Sequence, residues 1–251
     1  MNWHDEAIIL GTRQHGETSL IVEVMSLHHG RHLGIVKGGR SRRHAAALQP
    51  GNRISVEWWA RLDEHLGSFK VEVNDFSASR LMETSQSLFT FQTMSAHLRL
   101  LPERESHEAL YKMANLLIDH CDNLVLCSEI LVRLELRLLE ELGFGLDLQT
   151  CAATGSHEAL VYVSPKSARA VCLSAGEPWK DKLLPLPQFL LATNNRPLCV
   201  DELLSGFILT SFFLERHVFE PRGMQIPSAR DNIIKFLQKQ IETDISLLKA
   251  S

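Results

Sequence analysis

The sequence predicts an α+β protein in which a small five-stranded β-barrel precedes a mainly α-helical domain. Two changes in the spacing of apolar residues indicate this order. Between residues 6 and 76, apolar side chains alternate with polar ones, and from about residue 81 they recur with the period of an α-helix. The first pattern is typical of half-buried strands, and the second of amphipathic helices. The helical period is lost between residues 144 and 199 and returns from residue 201.

The strands come first. Five strand-like segments with glycine-containing turns cover residues 7–13, 19–27, 32–37, 54–62 and 68–76. In the second segment, Leu20, Val22 and Val24 lie on one face. Five short strands in about 70 residues suit a closed barrel better than an open sheet, and the OB-fold is the five-stranded barrel that binds nucleic acids most often. We therefore predict an OB-fold nucleic-acid-binding domain over residues 1–80.

The helices follow in a predicted helical domain over residues 81–251. Apolar faces with helical spacing cover residues 88–101, 110–121, 130–142, 201–217 and 234–248. Pro102 ends the first of these helices. Ser128 is the predicted N-cap of the third helix, Gly143 is the residue beyond its C-terminus, and Ser228 is the predicted cap of the last helix.

A small hairpin insertion is predicted over residues 145–178, where only 159–163 and 168–172 look like strands. Cys151 and Cys172 each begin what looks like half of a C-x-x-C zinc knuckle, with Thr154 and Ala175 where the second cysteines would stand. A structural zinc ion takes four good ligands in tetrahedral geometry. We therefore predict a zinc-knuckle-like hairpin that is held by packing, with no bound metal.

The composition excludes several classes of protein. The net charge is −4, the five cysteines are odd in number and scattered, and no apolar run is long enough to span a bilayer. The first residues lack the basic region and apolar core of a signal peptide. We expect a cytoplasmic protein without disulfides and without a membrane partner.

Positive charge is concentrated in the predicted barrel. No acidic residue lies between Glu23 and Glu57. Such a stretch has a positive local potential whatever the net charge of the chain is. The candidate DNA-binding residues are the six cations of this stretch: Arg31, Lys37, Arg40, Arg42, Arg43 and Arg53.

The segment from residue 36 to 43, VKGGRSRR, is the strongest single motif. Gly38 and Gly39 allow the backbone to approach a phosphate chain closely. The flanking lysine and arginines would neutralise phosphates, and arginine can also stack on unpaired bases. The alternative interpretation is an ordinary solvated basic loop.

Two adjacent tryptophans, Trp58 and Trp59, point to opposite faces of their strand. The alternation with Ile54 and Val56 predicts that Trp58 lies in the core, and it leaves open whether Trp59 stacks on a base. The sequence contains no phosphate-binding loop, nucleophile elbow or His-Glu-x-x-His motif. We therefore predict a protein that is not an enzyme and that has no cofactor.

Three groups of segments resemble one known family in their order along the chain. ETSLIV (17–22), GR (30–31) and VKGGR (36–40) are similar to the N-terminal barrel of the RecO family of recombination mediators. LRLLEELGF (136–144), followed by Asp147, Leu148 and Cys151, is similar to the segment that leads into the family's cysteine knuckle. HVFEPRG (217–223) resembles the C-terminal part of the family.

The resemblance implies an OB-fold followed by a helical domain, in a DNA-binding recombination mediator of DNA repair. It implies binding of single- and double-stranded DNA, annealing of complementary strands, and help in loading RecA, together with RecR, onto DNA coated by single-strand-binding protein. The implied partners are DNA, RecR, the acidic C-terminal tail of single-strand-binding protein and, indirectly, RecA, in the cytoplasm at the nucleoid. The family's four-cysteine zinc site is matched only at Cys151 and Cys172, and its basic barrel loop at Lys37, Arg40, Arg42 and Arg43.

Two other classes of function remain open at this point. In the first, the chain is a non-catalytic protein-interaction scaffold with little DNA affinity, and its acidic helical part is the working surface. In the second, it is an enzyme that acts on nucleic acid, which requires a metal or nucleotide site that no motif indicates. DNA affinity at low salt separates the scaffold from the mediator, and DNA turnover that a chelator stops would favour the enzyme.

Overall fold

A computed structural model describes residues 1–191 and 198–250, without the side chains of Arg43 and of residues 244–250. The chain divides into two compact units, Met1–Asp122 and Asn123–Ser251, called here the first and the second unit. The predicted boundary at residue 80 follows the last barrel strand, whereas the first unit also contains the helices up to residue 122. That the barrel alone is an independent domain stays a prediction.

The first unit begins with a closed five-stranded barrel. Its strands are β1 (Asn2–His15), β2 (Ser19–Ser26), β3 (Gly30–Val36), β4 (Arg53–Trp59) and β5 (Ser68–Asp75), and a short helix, α1 (Arg42–Ala45), lies between β3 and β4. The strand order is β1-β2-β3-β5-β4, and the pairing of β3 with β5 is the parallel one that closes the barrel. The predicted OB-type architecture is therefore confirmed.

Strand β1 is longer than the sequence pattern predicted. Residues 2–8 pair with β4 and residues 7–15 pair with β2, with a register shift between Ile9 and Gly11. One long strand thus pairs with two neighbours, and its bulge provides the bend that closes a small barrel. The alternation rule missed residues 2–6 because polar side chains dominate there.

Inward-facing side chains of every strand fill the barrel. Gly34 lies against the ring of Phe69, where a Cβ atom would come within 2.6 Å of the ring carbon Cδ2, so no larger residue fits without displacing the ring. The alternation in the sequence therefore reports the core correctly. The buried members of this core are Ala7, Ile9, Val22, Val24, Val36, Leu48, Ile54, Val56, Trp58, Ala60 and Phe69.

Three helices complete the first unit: α2 (Ser77–Leu81), α3 (Ser85–Leu98) and α4 (Glu108–Asp119). Helix α3 is capped by Thr84, whose hydroxyl accepts the Ser87 N–H at 3.0 Å. Its buried face includes Phe91, Met94 and Leu98, as the helical period predicted.

The second unit begins with α5 (Leu124–Glu141). The predicted cap of this helix was wrong. Ser128 lies buried inside the helix, and the cap is Asn123, whose side-chain oxygen accepts the Leu126 N–H at 3.0 Å. Asparagine and serine cap equally well, so the cap preference alone could not choose between two candidates five residues apart.

A small three-stranded sheet follows α5. Strands β6 (Leu160–Val163), β7 (Ala170–Cys172) and β8 (Leu184–Pro185) have the order β7-β6-β8, and a short helix, α6 (Leu173–Gly176), follows β7. Strands β6 and β7 form the predicted hairpin. The sequence pattern did not predict β8, because a two-residue strand that contains proline has no readable alternation.

Two long helices, α7 (Val200–Leu214) and α8 (Ser228–Ala250), complete the second unit. A buried ion pair connects α8 to α5. The Arg230 Nε donates to the Glu135 Oε1 at 2.7 Å, and the Arg230 Nη1 donates to the Ser211 hydroxyl of α7 at 2.7 Å. Within the described residues, no helix is both long enough and apolar enough to cross a membrane.

Candidate nucleic-acid interface

The basic loop, defined here as residues 37–42, leaves the barrel at the end of β3. Lys37, Arg40 and Arg42 are all exposed on it. Gly38 has a φ of +65°, a left-handed conformation that costs glycine little. The Ser41 N–H donates to the Gly38 carbonyl at 2.9 Å, which closes a tight turn. The loop therefore reverses its direction without burying a cation.

Hydrogen bonds fix this loop to the turn between β1 and β2. The Arg40 N–H donates to the Thr18 carbonyl at 3.0 Å, and the Arg40 Nη1 donates to the Glu17 carbonyl at 2.7 Å. On the other side, the His44 Nδ1 lies 3.0 Å from the Ser41 hydroxyl and 3.1 Å from the Gly38 carbonyl. The loop cations thus extend from a backbone that is held at both ends.

Three of the loop cations keep a charge that an external anion can neutralise. Within the part of the chain that the structure describes, neither Lys37 nor Arg42 forms an ion pair. Arg40 uses one N–H on a neutral carbonyl and keeps its charge uncompensated. The side chain of Arg43 lies outside the described residues, so its role stays a prediction.

Arg31 lies apart from the basic loop. Its Nη1 pairs with Glu23 at 2.8 Å, its Nη2 lies 3.4 Å from Glu103, and its Nε donates to the Leu101 carbonyl at 3.0 Å. These partners tie β3 to the segment that follows α3. A guanidinium compensated in this way has less charge to offer a phosphate.

Arg53 is engaged in the same manner at the start of β4. Its guanidinium pairs with Asp119 and with Asp75, the latter at 3.5 Å, and donates to the Asn115 carbonyl at 2.9 Å. The six predicted residues are therefore not one cluster, because the barrel directs two of them to acids of its own unit. A DNA contact by Arg31 or Arg53 stays a prediction and is not part of the interface described below.

A groove of about 310 Å³ opens beside the basic loop. Trp59, which is 63% exposed, lines this groove, whereas Trp58 is only 2% exposed in the barrel core, as predicted. The sequence analysis did not predict Lys70 as a site residue, because it lies outside the basic stretch. The pairing of β5 with β4 places Lys70 at this groove. We call this the Trp59 groove, and it is lined by Ile35, Val36, Lys37, His44, Trp59, Ser68, Phe69, Lys70 and Val71.

A second groove, of about 360 Å³, lies in the second unit along α5. It combines two arginines with an apolar floor. Arg133 pairs with Glu129 at 2.9 Å, and Arg137 pairs with Glu140 at 2.9 Å and also with Glu141. We call it the α5 groove, and it is lined by Arg133, Leu136, Arg137, Glu140, Gly145, Leu146, Leu148 and Leu190.

The two cysteines of the hairpin do come together. The Cys172 N–H donates to the Cys151 sulfur at 3.2 Å, and the Thr154 hydroxyl lies 3.7 Å from the Cys172 sulfur. Burial raises the pKa of the Cys151 thiol, but hydrogen bonds from the Thr154 hydroxyl and from the backbone N–H groups of Cys172, Ala153 and Thr154 lower it to about 6.

This hairpin does not fit a structural zinc ion. Two thiols and the nearby hydroxyls of Thr154 and Ser174 do not make the four strong ligands that such a site takes. Among the described residues, no group of three or more His, Cys, Asp or Glu side chains could hold a metal ion. The partners of the Cys151 sulfur are backbone N–H groups and the Thr154 hydroxyl.

Comparison with known families decides the relationship. Residues 1–75 match the family model "Recombination protein O N terminal", and residues 97–224 match "Recombination protein O C terminal". The chain belongs to the RecO family. Both halves match in the order that the sequence segments indicated, so the resemblance is confirmed.

Curated RecO proteins are similar over nearly the whole chain. The DNA repair protein RecO of Bartonella bacilliformis is 56% identical over 243 residues, which are 97% of this chain and 99% of that protein. The DNA repair protein RecO of Brucella abortus is 54% identical over 241 residues, which are 96% of this chain and 98% of that protein. This RecO-family chain is accordingly a DNA repair protein.

Proposed function

We propose that this RecO-family protein is a non-catalytic recombination mediator that binds single- and double-stranded DNA through its basic loop. One observation carries the proposal. Lys37, Arg40 and Arg42 are exposed on a loop that hydrogen bonds join to the end of β3, through Val36, and to the turn between β1 and β2. A loop backbone that is held in place in the free protein loses little conformational freedom when a phosphate chain binds.

The charge of the loop accounts for binding that does not depend on sequence. Each phosphate that a lysine or arginine neutralises releases condensed counterions, so affinity falls as salt rises. Contacts to phosphates position the strand but do not read its bases. A loop of this kind therefore suits a protein that must accept any damaged sequence.

The same contacts suit the annealing of complementary strands. Two strands that approach each other repel through their phosphates, and neutralised phosphates reduce that repulsion. Because the loop holds the backbone, the base edges stay free to pair. We propose that annealing and, together with RecR, the loading of RecA onto strands coated by single-strand-binding protein proceed from this bound state.

The α5 groove supports the partner part of the proposal. An acidic peptide that ends in apolar residues would place its carboxylates on Arg133 and Arg137 and its apolar side chains over the leucine floor. The glutamates now paired with these arginines belong to helix-surface pairs in which each arginine is about 40% exposed, and such pairs are weak. We propose this groove as the site for the acidic C-terminal tail of single-strand-binding protein.

The first prediction concerns the basic loop. In the Lys37/Arg40/Arg42→Ala variant we expect weaker binding to single- and double-stranded DNA, similar across sequences. The slope of log affinity against log salt should fall by about 2–3, since each of the three lost phosphate contacts removes about 0.7–0.9. Fluorescence anisotropy with labelled oligonucleotides at several salt concentrations measures both quantities, and an annealing assay on the same proteins tests the proposed activity.

The matched control removes three exposed cations of the second unit, Lys166, Lys180 and Lys182. It changes the net charge equally and should leave DNA binding within about twofold of the wild type. Equal losses in both variants would show that only net charge matters and would remove the loop from the proposal. Partner binding without any DNA affinity at low salt would instead favour the scaffold.

A further inference from the structure

We infer that Trp59 is a stacking platform for an unpaired nucleobase, so that the Trp59 groove is a subsite for single-stranded DNA. The inference rests on the proposed DNA binding and adds a second ligand chemistry to it. The basic loop takes phosphates, which both single and double strands offer. The groove would take a base, which only a single strand leaves accessible on its faces.

The exposure of Trp59 is the first observation. Burial of an aromatic ring is favourable, so a tryptophan that is 63% exposed on a strand forgoes much of that gain. Its backbone is not free to move, because Trp59 pairs with Asn2 of β1 and with Ser68 of β5. The indole is therefore presented from a fixed strand, as a stacking surface requires.

The walls of the groove are the second observation. Ile35 and Val71 contribute apolar surface, and Lys37 and Lys70 contribute positive charge. An aromatic face beside apolar walls suits the flat surface of a base, and ammonium groups at the rim suit the phosphates that flank it. The volume of about 310 Å³ leaves room for one base with part of its sugar.

The charge balance of the groove favours a nucleic acid over an acidic or apolar peptide. The Lys70 Nζ lies 3.2 Å from the Glu57 Oε2, but both side chains are more than half exposed, and such a pair is weak. Lys37 is free of ion pairs within the described part of the chain. The groove keeps a positive excess beside its aromatic face, which is the combination that single strands require.

Lys37 belongs to both the groove and the basic loop. A strand whose phosphates lie on Arg40 and Arg42 can therefore continue past Lys37 and place its next base on the indole. Because the groove continues from the basic loop, we assign it to the same DNA strand that the loop binds. A base in a duplex is paired and stacked on both faces, so a duplex on the loop would leave the groove empty.

The test compares Trp59→Ala with Trp59→Phe and with the control Trp179→Ala. Trp179 is similarly exposed, at 59%, but lies in the second unit. We expect Trp59→Ala to weaken single-strand binding by roughly tenfold, while duplex binding and the salt slope stay unchanged. Trp59→Phe should retain most of the affinity, and Trp179→Ala should bind like the wild type.

An oligonucleotide of abasic residues supplies the second arm. The wild type should bind it more weakly than a normal strand of equal length. Trp59→Ala should bind both strands alike, because removal of the base and removal of the indole abolish the same stacking contact. Unaltered single-strand binding by Trp59→Ala would overturn the inference, and so would an equal loss on single strands and duplexes. The proposed function would survive either outcome if the basic-loop variant still failed to bind, whereas a wild type without DNA affinity would end both.

Discussion

At the scale of single residues, the barrel buries the Asp5 carboxyl next to the turn between β2 and β3. Asp5 accepts the His28 N–H at 2.7 Å and lies 3.0 Å from the ring nitrogens of His28 and His29. Although burial raises the pKa of Asp5, these hydrogen bonds lower it below the ordinary value overall. The carboxylate thus stays charged and holds the turn in place.

His32, next to this cluster, is buried among the rings of Trp3, Trp58 and Phe69. Burial lowers its pKa from 6.5 to about 4, with a further lowering from the charge of Arg104. Because the unfolded chain takes up a proton at a higher pH than the folded one, protonation favours unfolding. This contribution appears below pH 6.5 and grows until pH 4.

We therefore predict that the first unit loses up to about 3 kcal/mol of stability between pH 6.5 and pH 4 through His32. In His32→Phe, which keeps an aromatic ring in the core, this part of the pH dependence should disappear. Urea unfolding followed by tryptophan fluorescence at several pH values measures it. The exposed His65→Gln serves as the control, and an unchanged pH profile in His32→Phe would contradict the assignment.

At the scale of elements, the second unit depends on one buried ion pair between helices. Glu135 and Arg230 are both fully buried. The Thr210 hydroxyl of α7 donates to Glu135, and the Ser211 hydroxyl of the same helix accepts from Arg230. A buried charge is costly without its partner, and the pair as a whole adds little over an apolar contact. Its effect is to set how α5, α7 and α8 pack.

We predict that Glu135→Ala or Arg230→Ala each destabilises the second unit by about 3–5 kcal/mol, because either one leaves a buried charge unpaired. The double variant Glu135→Leu/Arg230→Met should recover most of that loss. Thermal and urea unfolding monitored by circular dichroism would measure these changes. Arg137→Ala, which breaks the solvent-accessible pairs with Glu140 and Glu141 on the same helix, should cost only about 1 kcal/mol.

At the scale of the whole molecule, the proposed DNA and peptide sites lie in different units. The basic loop and the Trp59 groove belong to the first unit, and the α5 groove belongs to the second. A mediator has to hold DNA while it engages the protein that coats that DNA. Because the two sites are built from different units, each contact can be removed by substitution without the other.

We predict that Arg133→Glu abolishes binding of a peptide with the acidic C-terminal tail of single-strand-binding protein, through repulsion between like charges. Binding to naked DNA should stay within about twofold. The Lys37/Arg40/Arg42→Ala variant should show the reverse pattern. Isothermal titration with the tail peptide and anisotropy with an oligonucleotide distinguish the two, and a peptide that still binds Arg133→Glu would exclude the α5 groove.

Much of the fold follows from local sequence patterns. The two-residue period in the first 76 residues predicts the barrel strands and the burial of Trp58, and the helical period predicts the helices that follow. Both periods report which side of an element faces a core, and this depends only on neighbours along the chain. The cap of α5 is Asn123 and not the predicted Ser128, because the capping preference alone does not choose between two similar residues.

The basic stretch, the halved cysteine knuckle and the family resemblance could also be taken from the sequence alone. Only the tertiary structure decided how those cations are used. Closure of the barrel directs Arg31 and Arg53 to acids of their own unit, and it brings Lys70 beside Trp59 and the basic loop. The physical reason is that charge and hydropathy are properties of single residues, whereas an ion pair or a groove depends on distances between residues far apart in the chain.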